Sequence, residues 1–196
     1  FNWDGGVNRL YQVLAQDFLY DDPNKMVTFL ENHDTDRYFS VIGEDFEKYK
    51  MGITWLLTTR GIPHFYYGTE VLMKNFKNPT DAEVRRDFPG GWTDDVSNKF
   101  VASGRNSAEN EAFNFVKNLA NYRKNTPTLH TGKLMQFIPE NGIYVYFRYD
   151  NDKTIMVVTN SNSSDKSLDT KRFAERLNGF ASAKNVMNGE TILGLN

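Results

Sequence analysis

Residues 31–34 of this 196-residue chain, with the sequence ENHD, place an amide, an imidazole and carboxyl groups directly after a short apolar run. A carboxylate fixed beside an anomeric carbon stabilises the positive charge that develops as a glycosidic bond breaks. His33 could donate a hydrogen bond to a sugar hydroxyl while Asp34 supplies that carboxylate. For the tetrapeptide alone, the alternative is a turn capped by its Asn and Asp side chains.

The elements around this cluster alternate between helix and strand patterns. Apolar residues at helical spacing predict helices over residues 6–19 and 45–59. The apolar run at 26–30 predicts a strand that ends at the cluster, and residues 61–67 predict a second strand after the second helix. Buried strands that end in polar groups are typical of an α/β active site.

A long irregular stretch at residues 73–105 separates these elements from a third predicted helix. Loops of this length inside a compact domain are usually functional. Asn106 and Glu109 have the spacing of a capping box, which predicts that the third helix starts there and ends near Asn125.

The pattern changes to β near residue 131. Residues 134–138, 143–147 and 154–158 predict strands, and Asn141-Gly142 predicts a hairpin turn between the first two. A short helix at 170–177 is also predicted. The sequence therefore divides into an α/β part at 1–128 and an antiparallel β part at 129–196.

The composition limits the classes of partner. Hydrophobic residues make up 39% of the chain and charged residues 24%, which predicts a packed core. The net charge of -2 gives no reason to expect nucleic acid or an anionic membrane, and no stretch approaches the roughly 20 apolar residues of a membrane span. The chain has no cysteine, so disulfides and thiolate metal sites are excluded. No calcium-type run of spaced Asp and Asn is present, and no cofactor is expected.

Two motifs together resemble those of a known enzyme family. Residues 29–34, FLENHD, resemble the last conserved region of the α-amylase superfamily, at the end of its seventh barrel strand. Residues 61–70, which include GIP and YYGTE, are similar to the eighth strand of that family. Residues 86–92, RDFPGGW, resemble a loop of neopullulanase-like and cyclomaltodextrinase-like enzymes of bacterial starch utilisation. The first two motifs occur in the family's order and are separated by one helix, and this pair is more specific for the family than either motif alone.

This resemblance implies a fold and an activity. Residues 1–128 would be the carboxy-terminal part of a (β/α)8 TIM barrel, containing strands 7 and 8, and residues 129–196 a carboxy-terminal antiparallel β-sandwich. The parent protein would be a retaining glycoside hydrolase that cleaves α-1,4 bonds in starch, pullulan or cyclodextrins, with α-1,6 bonds as a second candidate linkage. Transglycosylation stays open, because water and a sugar can intercept the same intermediate.

The resemblance also assigns roles to residues. Asp34 matches the aspartate that stabilises the transition state, and His33 matches the histidine that binds the sugar before the cleaved bond. Asn32 would hold the turn, and Glu31 stands where relatives often carry Asp.

A second set of candidate sugar ligands comes from the irregular stretch. Asp81 and Arg85, with Arg86 as the alternative arginine, match an acid–arginine pair that binds distal sugars in related enzymes. An ordinary surface salt bridge is the competing interpretation. The tyrosines at 66–67 are expected to pack in the barrel wall, and Trp92 either stacks on substrate or is buried beneath its loop.

Two carboxylates of the family have no counterpart here. Its nucleophile and its acid/base belong to strands 4 and 5, which would precede residue 1. Asp36, Glu44 and Glu70 lie near the predicted site, but none is in a matching motif. Retaining hydrolysis needs two carboxyl groups about 5–5.5 Å apart, so a chain with Asp34 alone is predicted to be an inactive fragment. Its amino end also reads as mid-domain sequence, with a processed mature terminus as the alternative.

Further expectations concern partners and location. An α-glucan is the expected ligand, and the strand edges of an incomplete barrel predict self-association, with a homo-oligomer as one outcome. Calcium is a candidate for the parent protein only, and a periplasmic or extracellular bacterial location is favoured for it. The competing function is a non-catalytic module in which residues 131–196 bind carbohydrate or a protein.

Overall fold

The computed structural model describes residues 6–195. The helices are α1 (Gly6–Leu14), α2 (Tyr38–Val41), α3 (Phe46–Thr58), α4 (Ser107–Lys124), α5 (Thr128–Thr131) and α6 (Ala174–Leu177). The strands are β1 (Val27–Thr28), β2 (Ile62–Pro63), β3 (Lys133–Gln136), β4 (Ile143–Tyr149), β5 (Thr154–Asn160), β6 (Ser182–Lys184) and β7 (Thr191–Leu193). These elements form two compact units. The α/β unit comprises residues 27–57 and 62–124, and the β unit comprises 58–61, 125–195 and the described part of 1–26.

The α/β unit contains one pair of parallel strands. Val27 of β1 lies opposite Ile62 of β2, and Thr28 lies opposite Pro63. The amide of His64 then donates to the carbonyl oxygen of Thr28 at 2.7 Å. The parallel direction agrees with two neighbouring barrel strands.

The predicted lengths of both strands were wrong, because 26–30 and 61–67 each contain only two strand residues. Beyond the ladder, backbone groups bond locally or to side chains. The amide of Thr69 donates to the carbonyl oxygen of Tyr66 at 3.3 Å, and the carbonyl oxygen of Tyr67 accepts from Arg37. These bonds replace ladder bonds in the segment that follows β2.

The two longer helices of the α/β unit follow the sequence prediction closely, whereas the short helix α2 was not predicted. α3 begins at Phe46 within the predicted range 45–59. The capping box before α4 is confirmed, because the amide of Glu109 donates to Asn106 Oδ1 at 2.9 Å and the amide of Asn106 donates to Glu109 Oε2 at 2.8 Å. Residues 73–105 are irregular apart from short 3-10 turns, as predicted.

The β unit contains two antiparallel sheets, which confirms the predicted strand type. β4 lies between β3 and β5, and β6 pairs with β7. Asn141 and Gly142 have φ values of 51° and 77°, the left-handed conformation that a tight hairpin turn requires. The core against β4 is formed by buried Val145, Phe147, Phe173 and Leu177.

Two helical predictions in the β unit were correct in place, but part of each predicted helix is a 3-10 turn. The helix predicted over 6–19 ends at Leu14, and a 3-10 turn follows at Asp17–Leu19. Asp17 accepts two hydrogen bonds from Arg60, at 2.8 and 2.6 Å, which tie this turn to residues 58–61. The helix predicted over 170–177 begins as a 3-10 turn and becomes α6.

Among residues 6–195, no helix is both long enough and apolar enough to cross a membrane.

Candidate functional site

The functional cluster predicted at residues 32–34 forms a tight turn shortly after β1. Asn32 Oδ1 accepts from the amide of Asp34 at 2.8 Å, and Thr35 Oγ1 accepts from the amide of Asn32 at 2.9 Å. The amide of Thr35 closes the turn on the carbonyl oxygen of Asn32 at 3.3 Å. Asn and Thr side chains commonly bond neighbouring backbone amides in this way. Asn32 therefore holds the turn.

This turn presents the imidazole and the carboxylate to solvent. The side chains of His33 and Asp34 are each 60% exposed, and His33 Nε2 lies 3.2 Å from Asp34 Oδ2. They are not buried beneath apolar residues, as a purely packing role would require. An exposed donor and an exposed carboxylate side by side can both reach an external ligand.

The irregular stretch brings further charged groups to this turn. Arg85 donates through Nη2 to Asp34 Oδ1 and to Asp81 Oδ2, both at 2.9 Å, and through Nε to the carbonyl oxygen of His33 at 2.8 Å. Lys77 Nζ donates to the carbonyl oxygen of Asp34 at 2.8 Å and lies 3.2 Å from Asp81 Oδ1. Asp34, Asp81, Arg85 and Lys77 thus form one connected cluster with His33.

The two adjacent arginines have different partners. Arg85 contacts Asp34 and Asp81, whereas Arg86 Nη2 donates to Glu83. The structure therefore joins Arg85 to the cluster and directs Arg86 to a separate exposed ion pair.

Charged side chains contact the aromatic candidates. The rings of Tyr66 and Tyr67 lie against the guanidinium of Arg37, with centroids 4.2 and 4.9 Å from its central carbon. Trp92 is 64% exposed, and its indole Nε1 donates to Asp87 at 3.1 Å. Burial of Trp92 beneath its loop is therefore excluded.

A buried layer supports the turn. Burial raises the pKa of Glu31, while hydrogen bonds from Thr69 and from the Tyr38 amide and the charge of Arg37 oppose that rise. Burial penalises an ionised carboxyl group unless donors surround it. Glu31 and Asp34 thus lie in opposite environments although both belong to the same short motif.

The other candidate carboxylates lie in different places. Glu44 forms an exposed ion pair with Lys74, at 2.5 Å, and Asp36 accepts from the amide of Lys77 at 2.7 Å. Burial raises the pKa of Glu70, whose Oε2 is buried without a hydrogen-bond partner among the described residues. Glu70 lines a cavity of about 520 Å³ with Tyr67, Asp87, Phe88, Lys99, Phe100 and Phe113.

In the part of the chain from 6 to 195, no group of three or more His, Asp or Glu side chains is arranged to hold a metal ion.

Comparison with known families decides the wider assignment. The family described as "Alpha amylase, catalytic domain" matches residues 7–132, and the "Cyclo-malto-dextrinase C-terminal domain" matches residues 134–194. The chain belongs to the α-amylase family. The resemblance carried by residues 29–34 and 61–70 is thereby confirmed, as is the fold class of a partial TIM barrel followed by an antiparallel carboxy-terminal domain.

Curated relatives are longer α-amylase family proteins. A cyclomaltodextrin glucanotransferase from Geobacillus stearothermophilus is 32% identical over 168 residues, which is 85% of this chain and 20% of that protein. An α-amylase from Niallia circulans is 31% identical over 157 residues, 80% of this chain and 26% of that protein. The chain thus spans about a fifth to a quarter of the length of these α-amylase family relatives.

Solved structures of α-amylase family members share the fold. The α-amylase of Geobacillus thermoleovorans, crystallised with acarbose, has a TM-score of 0.73 at 22% identity, covering 97% of this chain and 39% of that one. CldA, a cyclomaltodextrin glucanotransferase, has a TM-score of 0.62 at 31% identity, covering 79% and 29%.

Sequence reasoning missed two residues of this candidate site. Lys77 lies in the irregular stretch, where no periodicity indicates which side chains return to the turn. Arg37 follows the turn closely and is buried. Its position directly before the aromatic residues Tyr38 and Phe39 was a sequence signal that could have been used.

Proposed function

We propose that the protein acts on α-glucans, with Asp34 as the carboxylate that stabilises the oxocarbenium-like transition state. The observation that supports this is the exposed pair formed by His33 and Asp34, held shortly after a parallel strand in a chain of the α-amylase family. His33 would donate to a hydroxyl of the sugar before the cleaved bond, and Asn32 would keep the turn in shape.

The charge of the cluster fits an uncharged, polyhydroxylated ligand. The cations Lys77 and Arg85 are matched by the anions Asp34 and Asp81, so the cluster is formally neutral. A neutral cluster does not favour a phosphate or a cation, whereas its many donors and acceptors can bond vicinal hydroxyls. We assign Asp81 and Arg85 to distal sugars. Arg86, bonded to Glu83, becomes the weaker candidate.

The reaction needs two further carboxyl groups. Asp34 supplies neither the nucleophile nor the proton donor of a retaining mechanism, and we assign both to sequence outside these 196 residues. The named relatives include glucanotransferases and an α-amylase, so hydrolysis and transglycosylation of α-1,4 bonds are both within this proposal. Cleavage of α-1,6 bonds and neopullulanase-like specificity stay predictions.

Activity measurements test this assignment. The 196-residue chain should show no turnover of starch, pullulan or cyclodextrin. In a longer protein that contains it, Asp34→Asn should lower kcat by about 10²–10³ with a small effect on KM, because its charge acts mainly in the transition state. Asp94→Asn, an exposed aspartate of the irregular stretch, is the matched control and should leave kcat unchanged. Turnover by the 196-residue chain that Asp34→Ala abolishes would contradict the assignment of the missing carboxylates.

A second candidate function is a non-catalytic carbohydrate-binding module in the β unit. One observation favours it: a cavity of about 760 Å³ whose lining includes apolar Val145 and Phe173 as well as polar Glu140, Asn162 and Arg172. Ligand cavities are commonly of this size and mixed character. On this alternative, Arg172→Ala weakens binding of maltoheptaose whereas Asp34→Asn does not.

A further inference from the structure

Arg37 is a buried cation that anchors the chain on one side of the functional turn. Its side chain is 1% exposed, and Nη1 donates to the carbonyl oxygen of Tyr67 at 2.7 Å. The guanidinium lies within cation–π distance of the rings of both Tyr66 and Tyr67, which also contact each other edge to face. Arg37 therefore binds the segment that follows β2 through both a hydrogen bond and ring contacts.

Glu31 anchors the chain on the other side of the turn. Its Oε1 accepts from the hydroxyl of Thr69 and lies 3.7 Å from Arg37 Nη1, and its Oε2 accepts from the amide of Tyr38 at 2.5 Å. Glu31 is as buried as Arg37. The residues that flank the Asn32–Thr35 turn are thus joined to each other and to the same segment after β2.

The energetics of a buried ion pair favour a geometric role. Removing two charges from water costs about as much as their attraction returns, so such a pair adds little stability over apolar packing. A planar guanidinium that bonds and stacks at once fixes its neighbours more narrowly than a lysine can. His33 and Asp34 are exposed, so their direction depends on the bonds within the turn, on the contacts from Arg85 and Lys77 and on how the two ends of the turn are held.

We infer that Arg37, together with Glu31, is a positioning residue that fixes the Asn32–Thr35 turn against the segment after β2 and so sets where His33 and Asp34 point. The consequence of this positioning for glucan binding rests on the proposed function of the turn, whereas the effect of Arg37 on the turn itself does not. The experiment is therefore designed to separate the two.

The chain offers a matched control in its β unit. Arg60 is also buried and forms a two-bond ion pair with Asp17, but it belongs to residues 58–61 rather than to the α/β unit. Arg37→Lys and Arg60→Lys are therefore the same substitution at two buried ion pairs, of which only one flanks the turn. Glu31→Gln is a second variant that removes the charge while keeping the size of the side chain.

Amide hydrogen exchange of the full chain is measured first, without ligand. We expect Arg37→Lys and Glu31→Gln to speed exchange of the Asp34 and Thr35 amides by about fivefold, because the turn they close is loosened. Exchange within α4 should stay unchanged, and Arg60→Lys should not affect the turn. Unchanged exchange at Asp34 and Thr35 in the folded variants would overturn the inference. If Arg37→Lys does not fold, Glu31→Gln alone decides.

Binding of maltoheptaose is measured second, by calorimetry at a temperature where all variants are folded. We expect Arg37→Lys to bind about tenfold more weakly than wild type and Arg60→Lys to bind equally well, since small displacements of a site group are costly. Equal weakening by both lysine variants would show a general stability effect and overturn the positioning role. Absence of wild-type binding, with the exchange result intact, would instead reject the proposed glucan site and leave the positioning role standing.

Discussion

At the scale of single residues, the motif at 31–34 places its two carboxyl groups in different environments. Glu31 is buried and bonded to backbone and side-chain donors, while Asp34 is exposed and contacts His33 and Arg85. The sequence predicted that Asp34 and His33 belong together, because they are adjacent. The sequence could not predict that Lys77 contacts Asp34, or that Arg85 rather than Arg86 does so. Those contacts depend on how the irregular stretch folds back on the turn.

Glu70 makes a prediction about stability and pH. Its folded-state pKa is raised above 4.5 by burial, so the folded state keeps a proton that the unfolded state has already lost. The contribution of Glu70 to stability is then fully present below its unfolded-state pKa, and it is lost as the pH rises from about 4.5 through the folded-state pKa. Glu70→Gln removes this pH-dependent loss of stability. The loss amounts to at most about 1 kcal/mol, because partial exposure screens the charge of Glu70.

Urea unfolding at pH 4 and pH 7 measures this effect. The free energy of unfolding of Glu70→Gln minus that of wild type should be larger at pH 7 than at pH 4. Glu111→Gln, at an exposed position of α4, should show no such change. The same pH dependence in wild type and Glu70→Gln would show that Glu70 is not the cause.

At the scale of elements, helices α3 and α4 of the α/β unit were predicted better than its strands β1 and β2, because the signals for a helix are local in sequence. The start of α4 follows from Asn106 and Glu109, whose reciprocal hydrogen bonds need only residues three apart. The ends of β1 and β2 depend instead on partners distant in sequence, such as the bond from Arg37 to Tyr67. The hairpin at Asn141-Gly142 was predictable because its backbone conformation is a property of those two residues.

The capping box predicts opposite effects of one substitution at two positions. Asn106→Ala removes the acceptor for the amide of Glu109 and should lower the free energy of unfolding by about 1 kcal/mol. Asn114→Ala, at an exposed position within α4, should raise it by a few tenths of a kcal/mol, on the order of 0.5, because Ala is the better helix former. Thermal or urea unfolding measures both. A loss of equal size at both positions would mean that Asn106 does not cap the helix.

At the scale of the whole molecule, the short parallel pair leaves apolar residues exposed. Val27 and Ile62, opposite each other on β1 and β2, are 58% and 53% exposed, and Phe29 is exposed nearby. Strand edges and apolar patches of this kind promote association. The boundary predicted between residues 128 and 129 remains a prediction, although the two family matches meet near it, at 132 and 134.

We therefore expect the 196-residue chain to self-associate at micromolar concentration. Val27→Lys places a charge on the exposed pair and should shift the chain toward the monomer. Val96→Lys, at a fully exposed position of the irregular stretch, should not. Sedimentation velocity distinguishes these cases, and a compact, stable wild-type monomer would refute the expectation.

The central claim is that His33 and Asp34 face a sugar ligand. Calorimetric titration of the chain with maltoheptaose, comparing wild type with His33→Ala, tests it most directly. Weak binding by wild type that falls about tenfold or more in His33→Ala is the predicted result, because one directed hydrogen bond to the ligand is lost. Equal binding by the two proteins would place the ligand elsewhere and contradict the claim.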